Sequence, residues 1–169
     1  MFILKWLLKQ HSANKRSPFL DTSHLKTDEI YLRLNRTGEA NPDKHWVDCY
    51  HFSICLVSDG TEVGNCDFRV GNTEKLFFGG NIGYAVHEQY RGNHYAGKAC
   101  LLLLKLAQMH NMAYIYITCN PDNIASRRTC EYAGGELICT VDLPVDNDMY
   151  IRGERQKCIY RFYLPQESK

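Results

Sequence analysis

The sequence predicts a mixed α/β fold in one domain of 169 residues. Three observations carry this. Strand-like segments come first, as a meander; an apolar run of good helix formers then fills Tyr95 to His110; beyond it strand, helix and strand patterns alternate. With 44% hydrophobic and 23% charged residues, a chain of this length buries a core of its own.

In chain order, Phe2 to Leu8 is apolar but contains Lys5, and it is far short of the roughly 20 residues that span a bilayer. It also lacks the length and the small-residue cleavage site of a secretory signal. Residues 1–27 therefore read as an extension packed on the domain or partly flexible, with Arg16 to Thr27 a polar lead-in. Glu29 to Leu34 alternates apolar and polar, the period of a strand with one buried face. Thr37 to Lys44 holds Gly38, Asn41 and Pro42 and reads as a connection with room for one helical turn. Trp46 to Val57 is aromatic and β-branched, and Asp59-Gly60 turns it into a hairpin with Thr61 to Val70. Gly71 to Gly80 reads as a loop and Asn81 to His87 as a strand.

The apolar positions of Tyr95 to His110 cover most of a helix circumference, which predicts a helix largely buried between a sheet and other elements. Ala113 to Cys119 reads as a strand and Asn123 to Ala133 as a helix stopped by Gly134-Gly135. Strands at Glu136 to Asp142 and Lys157 to Leu164 follow, separated by a polar loop, Leu143 to Gln156, long enough to suggest a role. A strand-helix-strand crossover requires the strands at 81–87 and 113–119 to lie parallel in one sheet.

Twenty Lys and Arg against nineteen Asp and Glu leave a formal charge of +1, which gives no strong attraction to a phosphate backbone or an anionic membrane. Nucleic acid and membrane partners are disfavoured. The eight cysteines contain no C-x-x-C, and none has the Cys or His spacing of a structural zinc site. Cys49 and His51, two residues apart, form no metal motif by themselves, so no metal is expected. Unpaired thiols inside apolar runs behave as small hydrophobes and imply a reducing cytoplasm.

The junction Val86-His87-Glu88-Gln89-Tyr90-Arg91-Gly92-Asn93-His94-Tyr95-Ala96-Gly97 joins a strand to the buried helix. A helix start presents unpaired N–H groups and partial positive charge to phosphate, and Gly92, Ala96 and Gly97 leave room for a diphosphate. Both the P-loop and the Rossmann glycine pattern are absent. The next strand ends at Thr118-Cys119 and leads into Asn120-Pro121-Asp122-Asn123-Ile124-Ala125-Ser126 and then Gly134-Gly135.

These two segments together resemble the GNAT superfamily of acetyl-CoA-dependent N-acetyltransferases. The family's phosphate pattern has Gln or Arg, Gly three residues on, and Gly or Ala two further; Arg91 and Ala96 match it inside Y-R-G-x-x-Y. Its second pattern has Asn, then Asn or Ser three residues later, then Ala-Ser, and Asn120, Asn123, Ala125 and Ser126 match that. The resemblance is strongest over Asn81 to Leu137 and extends over Glu29 to Leu164. GGNIGYAV, ITCNPDNIASRRTCE, DMYIRGE and KCIYRFYL further resemble a bacterial branch of acetyltransferases described by sequence more than by substrate.

The resemblance implies a mixed, mostly antiparallel sheet of about six to seven strands with a splayed parallel pair and flanking helices. It implies acetyl-CoA as co-substrate, lying between the splayed strands, and an amine acceptor on a small molecule or peptide. The backbone of Ala85, Val86 and His87 is then expected on the pantetheine arm, and Arg91, Gly92, Asn93, His94, Tyr95, Ala96 and Gly97 around the diphosphate. Asn123 and Ser126 are expected beside the cofactor, with helix capping the alternative for Asn123. An N–H near Val86 is expected to meet the developing oxyanion.

Two departures from the family pattern stand out. Cys130 replaces the Tyr that usually protonates the departing thiolate, leaving Cys130, Tyr84 and Tyr132 as alternatives. His94 replaces a Gly and is disfavoured if that position needs a positive φ. Asp67 and Glu88 are the candidates for proton removal. Asp67 shares a face with Arg69, towards either an acceptor pocket or solvent, and the loop around Asp148, Tyr150 and Arg152 either closes over the acceptor or is plain surface. An acyl-CoA-binding module without catalysis is the alternative function, and a homodimer is compatible with the sequence.

Overall fold

A computed structural model describes residues 18–165. The apolar segment Phe2 to Leu8 lies outside the described residues. From residue 18 the chain packs on the domain, with Leu25 buried and the Leu20 N–H donating to the Tyr50 hydroxyl at 2.7 Å.

Strands β1 (Ile30–Gly38), β2 (Cys49–Leu56), β3 (Glu62–Arg69) and β4 (Ile82–Val86) form an antiparallel sheet in chain order. A second sheet has the order β5 (Tyr114–Cys119), β7 (Gln156–Tyr163), β6 (Glu136–Asp142). The fold is therefore mixed α/β and mostly antiparallel, as expected. Between β4 and β5 the splay is complete enough that no ladder joins the two sheets.

Helix α2 (Tyr95–Met109) covers the inner face of the first sheet. Ala99, Leu102, Leu103, Leu106 and Ala107 recur at three- and four-residue spacing and are all buried, so one stripe of the helix forms core. That stripe meets Phe52, Ile54 and Phe68 from the first sheet and Ile115 and Ile117 from the second. Helix α3 (Ile124–Tyr132) is capped by Asn123, whose side chain accepts from the Ser126 N–H at 3.0 Å, and ends ahead of Gly134 at φ +87°.

Two helices correct the loops expected from the sequence. Within Gly71 to Gly80 lies α1 (Glu74–Gly79), capped by Thr73, whose hydroxyl accepts from Leu76 N–H at 3.4 Å. Within Leu143 to Gln156 lies α4 (Asp148–Ile151), capped by Asn147. Both are short, six and four residues long, and held by a local side-chain cap rather than by a long apolar stripe, so periodicity does not reveal them.

Candidate active site

The divergence of β4 from β5 starts at Gly80-Asn81. Asn81 is fully buried, and its N–H donates to the Tyr116 carbonyl at 2.6 Å. Gly80 (φ +75°) lies so close to β5 that an added Cβ would sit 3.2 Å from Thr118 N and 3.3 Å from the Tyr116 carbonyl. Beyond this junction β4 faces the gap. The Asn81 carbonyl and the His87 N–H both point to β3, accepting from Arg69 and donating to Val63. By the alternation of an antiparallel ladder, the main-chain groups of Tyr84 and Val86 then point away from β3, into the gap. This refines the expectation for the pantetheine arm: Val86 presents its N–H there, its carbonyl accepting from Arg91 Nε at 3.2 Å, whereas the main chain of Ala85 points to β3 and the His87 N–H is already used by Val63.

At the open end a cleft of about 640 Å³ lies between the C-terminal end of β4, the start of α2 and the face of α3. Arg91, Gly92, His94, Tyr95, Ala96 and Gly97 line it from the junction, and Asn123 and Ser126 line it from α3. His87 and Asn93 do not line it; the Asn93 amide instead donates to the Tyr90 carbonyl at 3.0 Å and ties the turn. The first intrahelical bond of α2 runs from the Lys98 N–H to the His94 carbonyl at 2.9 Å. The N–H groups of Tyr95, Ala96 and Gly97 therefore have no intrahelical acceptor and open on the cleft, with the positive end of the helix dipole behind them. This donor set fits a diphosphate.

Sequence reasoning missed Tyr90, Ala125, Arg128 and Thr129 as lining residues. His94 does adopt the left-handed conformation, at φ 58°. Its ring stacks on Tyr132 with centroids 4.7 Å apart and an interplanar angle of 13°. Tyr132 also lies over Gly97, where an added Cβ would meet its Cδ1 at 2.3 Å.

Tyr84 lines the same cleft from β4, with its hydroxyl 3.0 Å from Ser126 Oγ. Burial, with Cys130 alongside, holds its pKa well above the usual phenol range. Cys130 is fully buried beside Cys119 and is absent from the cleft lining. Its hydrogen bond to Cys119 and its burial raise its pKa far above that of a free thiol. The structure thus places Cys130 in the core, behind Tyr84 rather than in the lining itself.

A second cleft, of about 670 Å³, opens on the outer face of the first sheet beside Gly79 and Gly80. The register places Arg36, His51, Asp67 and Gly83 side by side across four strands, forming one row on that face. Asp67 Oδ2 lies 2.7 Å from Arg69 Nη2, an ion pair whose geometry falls short of a hydrogen bond. The carboxylate leans over β4, since a Cβ on Gly83 would meet Asp67 Oδ1 at 2.6 Å. His51 lines the cleft, and burial, then the Arg36 charge, lower its pKa below 6.5. Burial lifts the Cys49 thiol to about 11. Glu88 is exposed in a turn and lines neither cleft. From the late loop Asp148 and Arg152 line the second cleft, whereas Tyr150 instead takes Arg155 over its ring at 4.2 Å. No group of three or more His, Cys, Asp or Glu among the described residues is arranged to hold a metal ion. No helix among them is long and apolar enough to cross a membrane.

A family model described as an acetyltransferase (GNAT) domain matches residues 6–136. The chain belongs to the GNAT acetyltransferases. No curated protein matches it. Among solved structures it is similar to a GNAT-family acetyltransferase from Bacillus anthracis, with TM-score 0.55, 20% identity, and 67% of this chain and 65% of that one covered. A ribosomal-protein-S5-alanine acetyltransferase from Vibrio fischeri gives TM-score 0.57 at 14% identity, covering 72% and 64%. The microcin C7 self-immunity acetyltransferase MccE, solved with acetyl-CoA and AMP, gives TM-score 0.53 at 17% identity, covering 68% and 61%. The match thus spans slightly under two thirds of each of those chains. At these identities the likeness establishes the shared fold.

Proposed function

We propose that this GNAT acetyltransferase moves an acetyl group from acetyl-CoA to a primary amine by direct attack on the thioester. The observation that carries the reading is the row of free N–H groups at Tyr95, Ala96 and Gly97, opening on a cleft that reaches Tyr84, Ala85 and Val86 of β4. The diphosphate rests on that helix start, with Arg91 and His94 flanking it. The pantetheine arm pairs with the outward main chain of Tyr84, and the Val86 N–H is left for the acetyl end. Asn123 both caps α3 and lines the cleft, so its two expected roles are compatible.

The amine enters from the outer face, where Asp67 leans over Gly83. Its ammonium proton passes to the Asp67 and His51 row, because the free base alone has a lone pair for the thioester carbon. As the nitrogen–carbon bond forms, the Val86 N–H receives the oxyanion. The carbon–sulfur bond then breaks, and the Tyr84 hydroxyl, relayed by Ser126, supplies a proton to the thiolate. Tyr84 takes this role over Cys130 because it lines the cleft and Cys130 does not. Release of CoA thiol with a panel of amines tests the reading. Acetyl-CoA binding without transfer to any amine supports the silent binding module instead, and no thermal stabilisation by millimolar acetyl-CoA refutes both.

A further inference from the structure

We infer that the acceptor carries, several bonds from its reacting amine, a carboxylate or phosphate held by Arg36; this rests on the transfer proposed above and deepens it. The observation behind it is a β-bulge. Ile30, Leu32 and Leu34 share one parity on β1 and pair with Leu56, Ile54 and Phe52 on the core side of β2. The register shifts between Leu34 and Arg36, so that Arg36 pairs with His51 instead. One extra residue, Asn35, thus moves a guanidinium from core parity to the outer face, where it lines the second cleft. Asn35 is itself fixed, its amide donating to Ser53 Oγ at 2.9 Å.

Among the described residues, nothing neutralises Arg36. It forms no ion pair among the described residues, and the Asp67 carboxylate is taken by Arg69. Glu39, Asp146 and Asp148 line the cleft but none lies within ion-pair distance of Arg36. Its nearest polar neighbours on the sheet are a neutral Cys49 thiol and a histidine whose pKa is lowered, so the floor offers no counter-charge. The planar fork of arginine suits a carboxylate or phosphate. The row sets the spacing: Arg36 and Gly83 are three strand spacings apart, roughly 14 Å between backbones. An amine at Gly83 and an anion at Arg36 therefore need a spacer longer than that of an α-amino acid.

The test measures equilibrium binding by calorimetry to the full chain saturated with CoA, so no turnover is needed. The probes are 6-aminohexanoate and 6-aminohexyl phosphate, each against hexylamine, the counterpart that lacks the anion. At least one anionic probe is expected to bind about tenfold or more tightly than its counterpart, the scale of a charge-assisted hydrogen-bonded pair. Arg36→Gln should abolish that preference and Arg36→Lys restore part of it, with CoA affinity on the same variants reporting an intact fold. Which anionic probe wins tells carboxylate from phosphate. Equal binding of both pairs, or a preference that survives Arg36→Gln, overturns the inference while CoA binding leaves the transfer reading standing. Absence of CoA binding overturns both.

Discussion

Asn81 and Tyr116 are joined twice: the Asn81 N–H donates to the Tyr116 carbonyl at 2.6 Å, and the Tyr116 N–H donates to Asn81 Oδ1 at 2.8 Å. The Asn81 side-chain amide also donates to the carbonyls of Arg69 at 3.0 Å and Gly71 at 2.7 Å. A single buried side chain thus stitches both sheets at the apex of the gap, and its polar atoms are satisfied.

Asn81→Ala is therefore expected to destabilise the protein by about 3 kcal/mol, because three main-chain groups lose buried partners at once. Acetyl-CoA affinity should fall as well, since the apex that sets the divergence is loosened. Urea denaturation of the apo protein measures the first effect and calorimetry the second. A loss below about 0.5 kcal/mol, the level of a surface substitution, would remove Asn81 from this role.

The start of α2 makes a separate prediction. Gly92 sits at φ +86° with open space around a would-be Cβ, so Gly92→Val acts through backbone strain rather than collision. Ala96 lines the cleft, and Ala96→Trp fills it. Both are expected to weaken acetyl-CoA binding by about tenfold or more, while Ala96→Trp leaves the apo unfolding midpoint nearly unchanged. Ligand at about 100 times its dissociation constant should stabilise the wild type by about 2.7 kcal/mol. Equal stabilisation of the Ala96→Trp variant would place the diphosphate elsewhere.

The cleft at the start of α2 was legible because its signals are local. The helix at Tyr95–Met109, the junction before it and the Asn123 cap all depend on residues within a turn or two of each other. The outer-face row was not, because Arg36, His51, Asp67 and Gly83 meet only through register, and of these only Arg36 and His51 line the cleft. A shift at Asn35, which no period-two count reveals, decides which face Arg36 takes. In the sequence, accordingly, His51 stands out only beside Cys49, as an incomplete metal pair. The helix at Glu74–Gly79 did have a local signal, Thr73 three residues ahead of Leu76, hidden by the glycines around it.

His94 sets two costs against each other. A left-handed backbone disfavours a residue with a Cβ by about 1 kcal/mol, and an aromatic stack contributes about as much in its favour. His94→Gly removes both and should leave stability within about 0.5 kcal/mol of wild type. His94→Ala keeps the strain and loses the Tyr132 contact, so it should be less stable by about 1 kcal/mol. Urea midpoints of the two variants decide this: an Ala variant as stable as wild type would show that the stack contributes nothing, and one as stable as the Gly variant would show that the left-handed backbone costs nothing.

The charges around His51 make a prediction with a definite sign. Its neighbours across the row are Arg36 on one side and Asp67 on the other, with Arg69 also in range. Burial lowers its pKa most, Arg36 lowers it further, and Asp67 raises it. The imidazole is therefore neutral at neutral pH, and it takes up its proton only as pH falls below 6.5. Arg36→Gln removes a repelling charge and should move the titration to higher pH; Asp67→Asn removes an attracting one and should move it lower. The His51 Cε1 proton, followed by NMR across the pH range, measures this without any acceptor. If the kcat/KM rising limb is set by His51, it should move in the same two directions in these variants. A histidine signal that stays fixed in both would break the electrostatic row, and with it the proton route assigned to the outer face.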